Sequence, residues 1–145
     1  MHTRRAPKHP IVLALLAAYL ILAALIAFWP TPVDQAAAPL LNTLIAKLHA
    51  HGVPTWLGYD QLEFAANILF FIPFAFLLTL LLGRNRWWFA ALIALGSSIC
   101  IEVAQKEFLA ARFSSLADVA ANVIGALIGA GLAVLVLSRR SSRPH

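Results

Sequence analysis

Cysteine is almost absent from this chain: among 145 residues there is one, Cys100, and it sits inside an apolar run. No internal disulfide can form, so no disulfide framework holds the fold and the residue reports no redox compartment. A lone cysteine in such surroundings behaves as a small hydrophobe rather than as a ligand or nucleophile. Charge is scarce as well. Charged residues make up 12% of the chain against 61% hydrophobic, and the mean hydropathy of +0.83 lies well outside the balance of soluble proteins. A net charge of +5 and a pI near 10.2 would suit nucleic acid only if a soluble domain carried a basic face. No such domain exists here, so no nucleic-acid partner is expected. The chain also has no nucleophile elbow, no glycine-rich phosphate loop, no Cys/His pair and no metal-ligand spacing. No metal or cofactor is expected.

What the chain has instead is four long apolar stretches, at 11–29, 62–82, 87–108 and 116–137. A spanning helix needs roughly 20 mostly apolar residues, so an all-α, four-helix transmembrane bundle is predicted, a single domain over residues 1–145. The first stretch follows Arg4, Arg5 and Lys8 like a signal peptide, but its apolar run exceeds the 7–15 residues of a signal core. It is read as a retained span.

Lysine and arginine collect in short cytoplasmic loops. With both termini inside, Arg4, Arg5, Lys8, Arg84, Arg86, Arg139, Arg140 and Arg143 share the inner side, leaving only Lys47, Lys106 and Arg112 outside. All six acidic residues, Asp34, Asp60, Glu63, Glu102, Glu107 and Asp118, lie towards the outer side. The predicted placement is a bacterial inner membrane with an N-in, C-in topology. The one long connection, 30–61, carries Leu40, Leu41, Leu44, Ile45 and Leu48 at helical spacing, followed by the stop signals Gly52 and Pro54. It predicts an amphipathic helix on the outer face between helices 1 and 2. His49 and His51, two apart on that helix, point away from each other and do not make a metal pair.

The polar residues of the spans are arranged, not scattered. Counted from the inner ends, Asn67 is fifteen residues from Leu82, Glu102 fifteen from Trp87 and Asn122 fifteen from Leu137. Three helices thus bring a polar side chain to one layer roughly 22 Å above the inner boundary, at 1.5 Å per residue. Glu63, Gln105 and Asp118 lie about one turn further out. Ser98, Glu102 and Gln105 follow i, i+4, i+7, as do Asp118, Asn122 and Gly125, so each helix carries one polar stripe in its outer half. Ionisable residues inside a membrane face a bundle interior or an aqueous cavity. The converging stripes define a candidate outer pocket of Asn67, Glu102, Gln105, Arg112, Asp118 and Asn122, with Arg112 as counter-ion. The competing reading makes Asp118 a cap on the positive N-terminus of the fourth helix, which leaves Glu102 and Asn67 unexplained.

Three further residues concern packing. Gly125 and Gly129 form a small-xxx-small face for close helix contact, either within the monomer, which is favoured, or across a homodimer. Pro73 sits mid-span and predicts a kink. Trp87 and Trp88, beside Arg84 and Arg86, read as an inner-interface anchor.

In order and spacing, "NILFFIPFAFLL", "IEVAQ" and "RFSSLADVAANVIGALIG" resemble the VanZ-like bacterial membrane proteins. Asn67, Phe71, Pro73, Glu102, Gln105, Arg112, Ser115, Asp118, Asn122, Gly125 and Gly129 carry the likeness, over residues 67–129. Ala75 stands where many relatives have glycine, which relaxes the packing there without touching a polar role. The first helix and outer segment add no distinctive match. The resemblance implies a small multi-span inner-membrane protein of the cell envelope, whose best-known relative is associated with low-level resistance to glycopeptide antibiotics such as teicoplanin. It names no reaction.

Three functions follow. The first is an envelope protein, surrounded by membrane lipids, that binds a lipid headgroup or lipoglycopeptide in the outer pocket. There Arg112 would meet an anion and Asn67, Gln105 and Asn122 would supply hydrogen bonds. The second is an enzyme on a lipid-linked or cell-wall substrate, with Glu102 and Asp118 as a catalytic carboxylate pair. The third is a small transporter or a purely structural bundle, although polar residues reach only the outer half.

Overall fold

The computed structural model describes residues 9–28, 38–108 and 116–141. Over these the chain forms α1 (His9–Ala27), α2 (Ala38–Ala50), α3 (Tyr59–Leu82), a single 3-10 turn at Arg84–Arg86, α4 (Trp87–Phe108) and α5 (Leu116–Ser141), with no strand among the described residues. Four of them, α1, α3, α4 and α5, are long and apolar enough to cross a membrane. At 1.5 Å per residue the 24 residues of α3 extend about 36 Å, enough for a hydrocarbon core of about 30 Å. This is a multi-pass membrane protein with an all-α bundle. Leu13, Ile21, Leu69, Leu92, Val103 and Leu135 are all more than half exposed, a surface that lipid tails cover and water would not.

The α3–α5 pair is the principal interface, α4 packs chiefly against α5 and α1 docks on α3. Between apolar helices in lipid the hydrophobic effect drives little, so close packing of small residues has to hold them together. Here α5 presents buried Ala121, Ala126, Ala130 and Ala133, with Gly125 and Gly129 on the same side. A β-carbon added at Gly125 would strike the carbonyl oxygen of Ile68, and one at Gly129 that of Ile72. Contacts that advance together along both chains make α3 and α5 parallel, with backbone touching backbone. The small-residue face is therefore used within the monomer. Leu16, Phe71, Phe74, Ala75, Ala94 and Ala126 form the core, and Phe71 meets Phe74 edge to face at 5.9 Å. The methyl of Ala75 is fully enclosed, so packing at this position is tight rather than relaxed.

Pro73 lies inside α3 without ending it. Its missing N–H leaves the Leu69 carbonyl without its helical donor. At the next carbonyl, Phe70, the hydroxyl of Tyr19 on α1 donates a hydrogen bond.

Over residues 38–58, the segment leading into α3 folds as its signals require. Gly52 takes φ +94 just past α2, Gly52 N–H donates to His49 C=O and Val53 N–H to Leu48 C=O, both at 3.1 Å, the two bonds of a Schellman cap. Leu41 and Ile45 are half-covered while Leu40, Leu44 and Leu48 stay exposed, which gives an apolar row for a membrane surface. The Gln61 side chain accepts the Gly58 N–H at 2.9 Å at the start of α3. At the other end, Gly83 turns α3 into α4 with φ +87, a conformation that suits glycine. Its N–H donates to Thr79 C=O at 2.9 Å and its own carbonyl accepts from Arg86 N–H at 3.0 Å.

Candidate functional site

The polar stripe of α4 faces inward along its length. Ser98, Glu102 and Gln105 are 0%, 9% and 8% exposed, and Asn122 on α5 is 6% exposed. Each would cost free energy at this depth without a hydrogen bond, and the structure pairs Ser98, Gln105 and Asn122 across helices. Asn122 Nδ2 donates to Ser98 Oγ at 2.9 Å, joining α5 to α4. Asn67 Nδ2 donates to Asp118 Oδ1 at 2.7 Å, joining α3 to α5, with both side chains half-buried. Gln105 Nε2 donates to the carbonyl of Ala27 at 2.9 Å, joining α4 to α1. With Tyr19 on the Phe70 carbonyl linking α1 to α3, the hydrogen bonds close a ring through all four long helices. Asp118 also sits in the first turn of α5, where a carboxylate complements the helix dipole, so a favourable dipole position and the bond to Asn67 coexist.

The pairs cut across the layers expected from counting residues. Asn67 meets Asp118 rather than Asn122, and Asn122 meets Ser98, one turn from Glu102. Counting from the inner ends treats the helices as upright and parallel, whereas packed helices cross and tilt, which shifts partners by about a turn. Gln105 differs more: its amide nitrogen holds α1 instead of lining a cavity. Glu63 is exposed, outside the buried cluster. Arg112, the expected counter-ion, and Ser115 lie outside the described residues.

Two participants were not singled out from sequence. Ser98 lay on the stripe without an assigned role. Tyr19 had a signal, being the one polar side chain in the run 11–27, since a buried tyrosine hydroxyl seeks a partner. The carbonyl of Ala27 has no sequence signature at all.

The cluster also holds a buried acceptor that the described helices leave unbonded. Asn122 Oδ1 has no hydrogen-bond partner among the described residues, and an unsatisfied buried acceptor costs about 1–3 kcal/mol. Elsewhere, His49 and His51 do not converge on a common point. His49 Nε2 lies 3.0 Å from the Leu57 carbonyl oxygen and His51 Nδ1 2.8 Å from that of Lys47.

Compared with known families, residues 12–137 match the family described as VanZ/LLP1. No curated protein and no solved structure matches the chain. The match takes in most of α1 and all of α2, beyond the 67–129 stretch that carries the recognisable motifs. This multi-pass helical membrane protein belongs to the VanZ/LLP1 family.

Proposed function

We propose that this protein binds a polar or anionic ligand of the bacterial cell envelope, a lipid headgroup or a lipoglycopeptide, at the α2 end of its bundle. The carrying observation is Asn122: it is buried beside Ser98 with its side-chain carbonyl unbonded among the described residues. A ligand hydroxyl or N–H reaching that oxygen would recover the desolvation cost. The half-buried Asn67–Asp118 pair forms the rim of this site, buried Glu102 its floor, and Arg112, on the segment joining α4 to α5, the cation for an anionic group. Gln105 acts as a positioning residue through Ala27.

Eight of the eleven basic residues sit at the opposite end or in the terminal segments, which supports an inner-membrane protein with both termini cytoplasmic and the site facing outwards. In that position a bound envelope component would alter tolerance to glycopeptide antibiotics. Because Gly125 and Gly129 are filled by α3, a homodimer would have to use another face. A catalytic role for Glu102 and Asp118 is the second reading, favoured by their unequal surroundings, one buried and one half-buried. Purified protein incubated with envelope lipids separates the two: retention without turnover supports binding, and a converted product supports the enzyme.

A further inference from the structure

At the end of the bundle away from the polar cluster, the turn joining α3 to α4 meets the last turns of α5 around an open recess of about 580 Å³. Its lining is Leu82, Gly83, Arg84, Asn85, Arg86 and Leu137. These residues fall into two chemistries. Arg84, Asn85 and Arg86 bring two guanidinium forks and an amide, and nothing crowds the backbone at Gly83, where a β-carbon would meet no atom within 4 Å. Leu82 and Leu137 close the apolar parts of α3 and α5, so the same recess has a greasy wall towards the spans.

Among the described residues no acidic side chain lies at this end to balance the positive charge. The six acidic residues are all at 34, 60, 63, 102, 107 and 118, and the stretches 1–33, 64–101 and 119–145 contain none. α3, α4 and α5 therefore bring no carboxylate to this end, while Arg139, two residues beyond Leu137, adds a third cation. The depth also fits. Trp87 and Trp88 directly follow the recess and are 42% and 53% exposed, and indole rings on a membrane protein settle at headgroup level.

We infer that this recess binds the phosphodiester of an anionic membrane phospholipid, with an acyl chain lying along Leu82 and Leu137. Paired guanidinium forks match phosphate oxygens in a way a lysine point charge does not, and basic pockets between spanning helices hold anionic headgroups. The site is separate from the proposed ligand site at the other end and stands without it.

The test is lipid retention in nanodiscs made from equal parts of phosphatidylglycerol and phosphatidylcholine, read by native mass spectrometry after release into detergent. The natural protein retains phosphatidylglycerol preferentially. R84Q/R86Q loses about thirtyfold of that preference, the loss expected when two cations are removed from an anionic headgroup. K47Q/K106Q, altered at the opposite end, keeps it. Soluble glycerol phosphate does not displace the lipid, because it lacks the chain that the leucines hold. If R84Q/R86Q does not elute as folded protein, R84K/R86K takes its place and shows a reduced preference through loss of the bidentate geometry. Equal retention of both lipids by the natural protein, an unchanged preference in the arginine variant, or full displacement by glycerol phosphate overturns the assignment.

Discussion

The side-chain amide of Asn67 on α3 donates to the carboxylate of Asp118 on α5 across 2.7 Å, at the end of the bundle where α5 begins. The same two helices touch backbone to backbone further along, at Ile68–Gly125 and Ile72–Gly129. One interface thus combines a polar latch with close packing. The latch is short enough to be charge-assisted, and interhelical hydrogen bonds in membranes average about 0.6 kcal/mol with a maximum near 1.7. A double-mutant cycle with N67A and D118A, measured by thermal unfolding in detergent, is expected to return a coupling energy in the upper part of that range. Additive effects would mean that the two residues do not interact.

The packing makes a sharper prediction, because three glycines of one helix differ in their surroundings. G125A and G129A push a methyl into the α3 backbone and are expected to cost about 1–3 kcal/mol each. At Gly131 a β-carbon meets no atom within 4 Å, so G131A is expected to be neutral or to stabilise by up to about 1 kcal/mol through reduced backbone freedom. Thermal melts of the three variants check the order. Equal melting temperatures would place the Gly125–Gly129 face against lipid.

Among the described residues, the hydroxyl of Tyr19 and the amide of Gln105 tie α1 to the bundle. Q105L removes the donor to the Ala27 carbonyl and Y19F the donor to the Phe70 carbonyl. Each is expected to cost about 0.5–1.5 kcal/mol and to raise hydrogen exchange in α1 more than in α5. Faster exchange spread evenly over all helices would show that these bonds do not act as local tethers.

How far the sequence could be read divides along physical lines. The bounds of α4 were legible to the residue, since Arg84 and Arg86 stand just before Trp87 and the charged pair Lys106 and Glu107 comes just before Phe108. The end of α2 was legible because Gly52 supplies the one backbone conformation its cap needs. The inward stripe of Ser98, Glu102 and Gln105 followed from helical period alone. The pairing did not. Which polar group meets which depends on helix tilt, and tilt is set by contacts such as Gly125 on Ile68 that no single helix encodes. Backbone partners such as the Ala27 carbonyl carry no residue-type signal, so the role of Gln105 was not legible either.

Topology is checked by single cysteines in a C100A background. Cysteines at Asn42 and Glu107 are expected to react with an impermeant thiol reagent in intact cells, and one at Asn85 only after lysis. Labelling of the Asn85 position alone in intact cells would invert the orientation and move the polar site to the cytoplasmic side.

The central claim is that the cluster of Asn67, Glu102, Asp118 and Asn122 holds an envelope ligand. The most direct measurement is native mass spectrometry of the protein purified gently from its own membranes in an R84Q/R86Q background, which removes lipid bound at the other end. E102Q and D118N keep shape while removing charge, and N122L removes the unbonded acceptor. The account predicts a discrete adduct on the R84Q/R86Q protein that survives mild detergent and is lost from E102Q, D118N and N122L, with all proteins eluting as folded species. An adduct that persists in every variant, or none on the R84Q/R86Q protein, would contradict it.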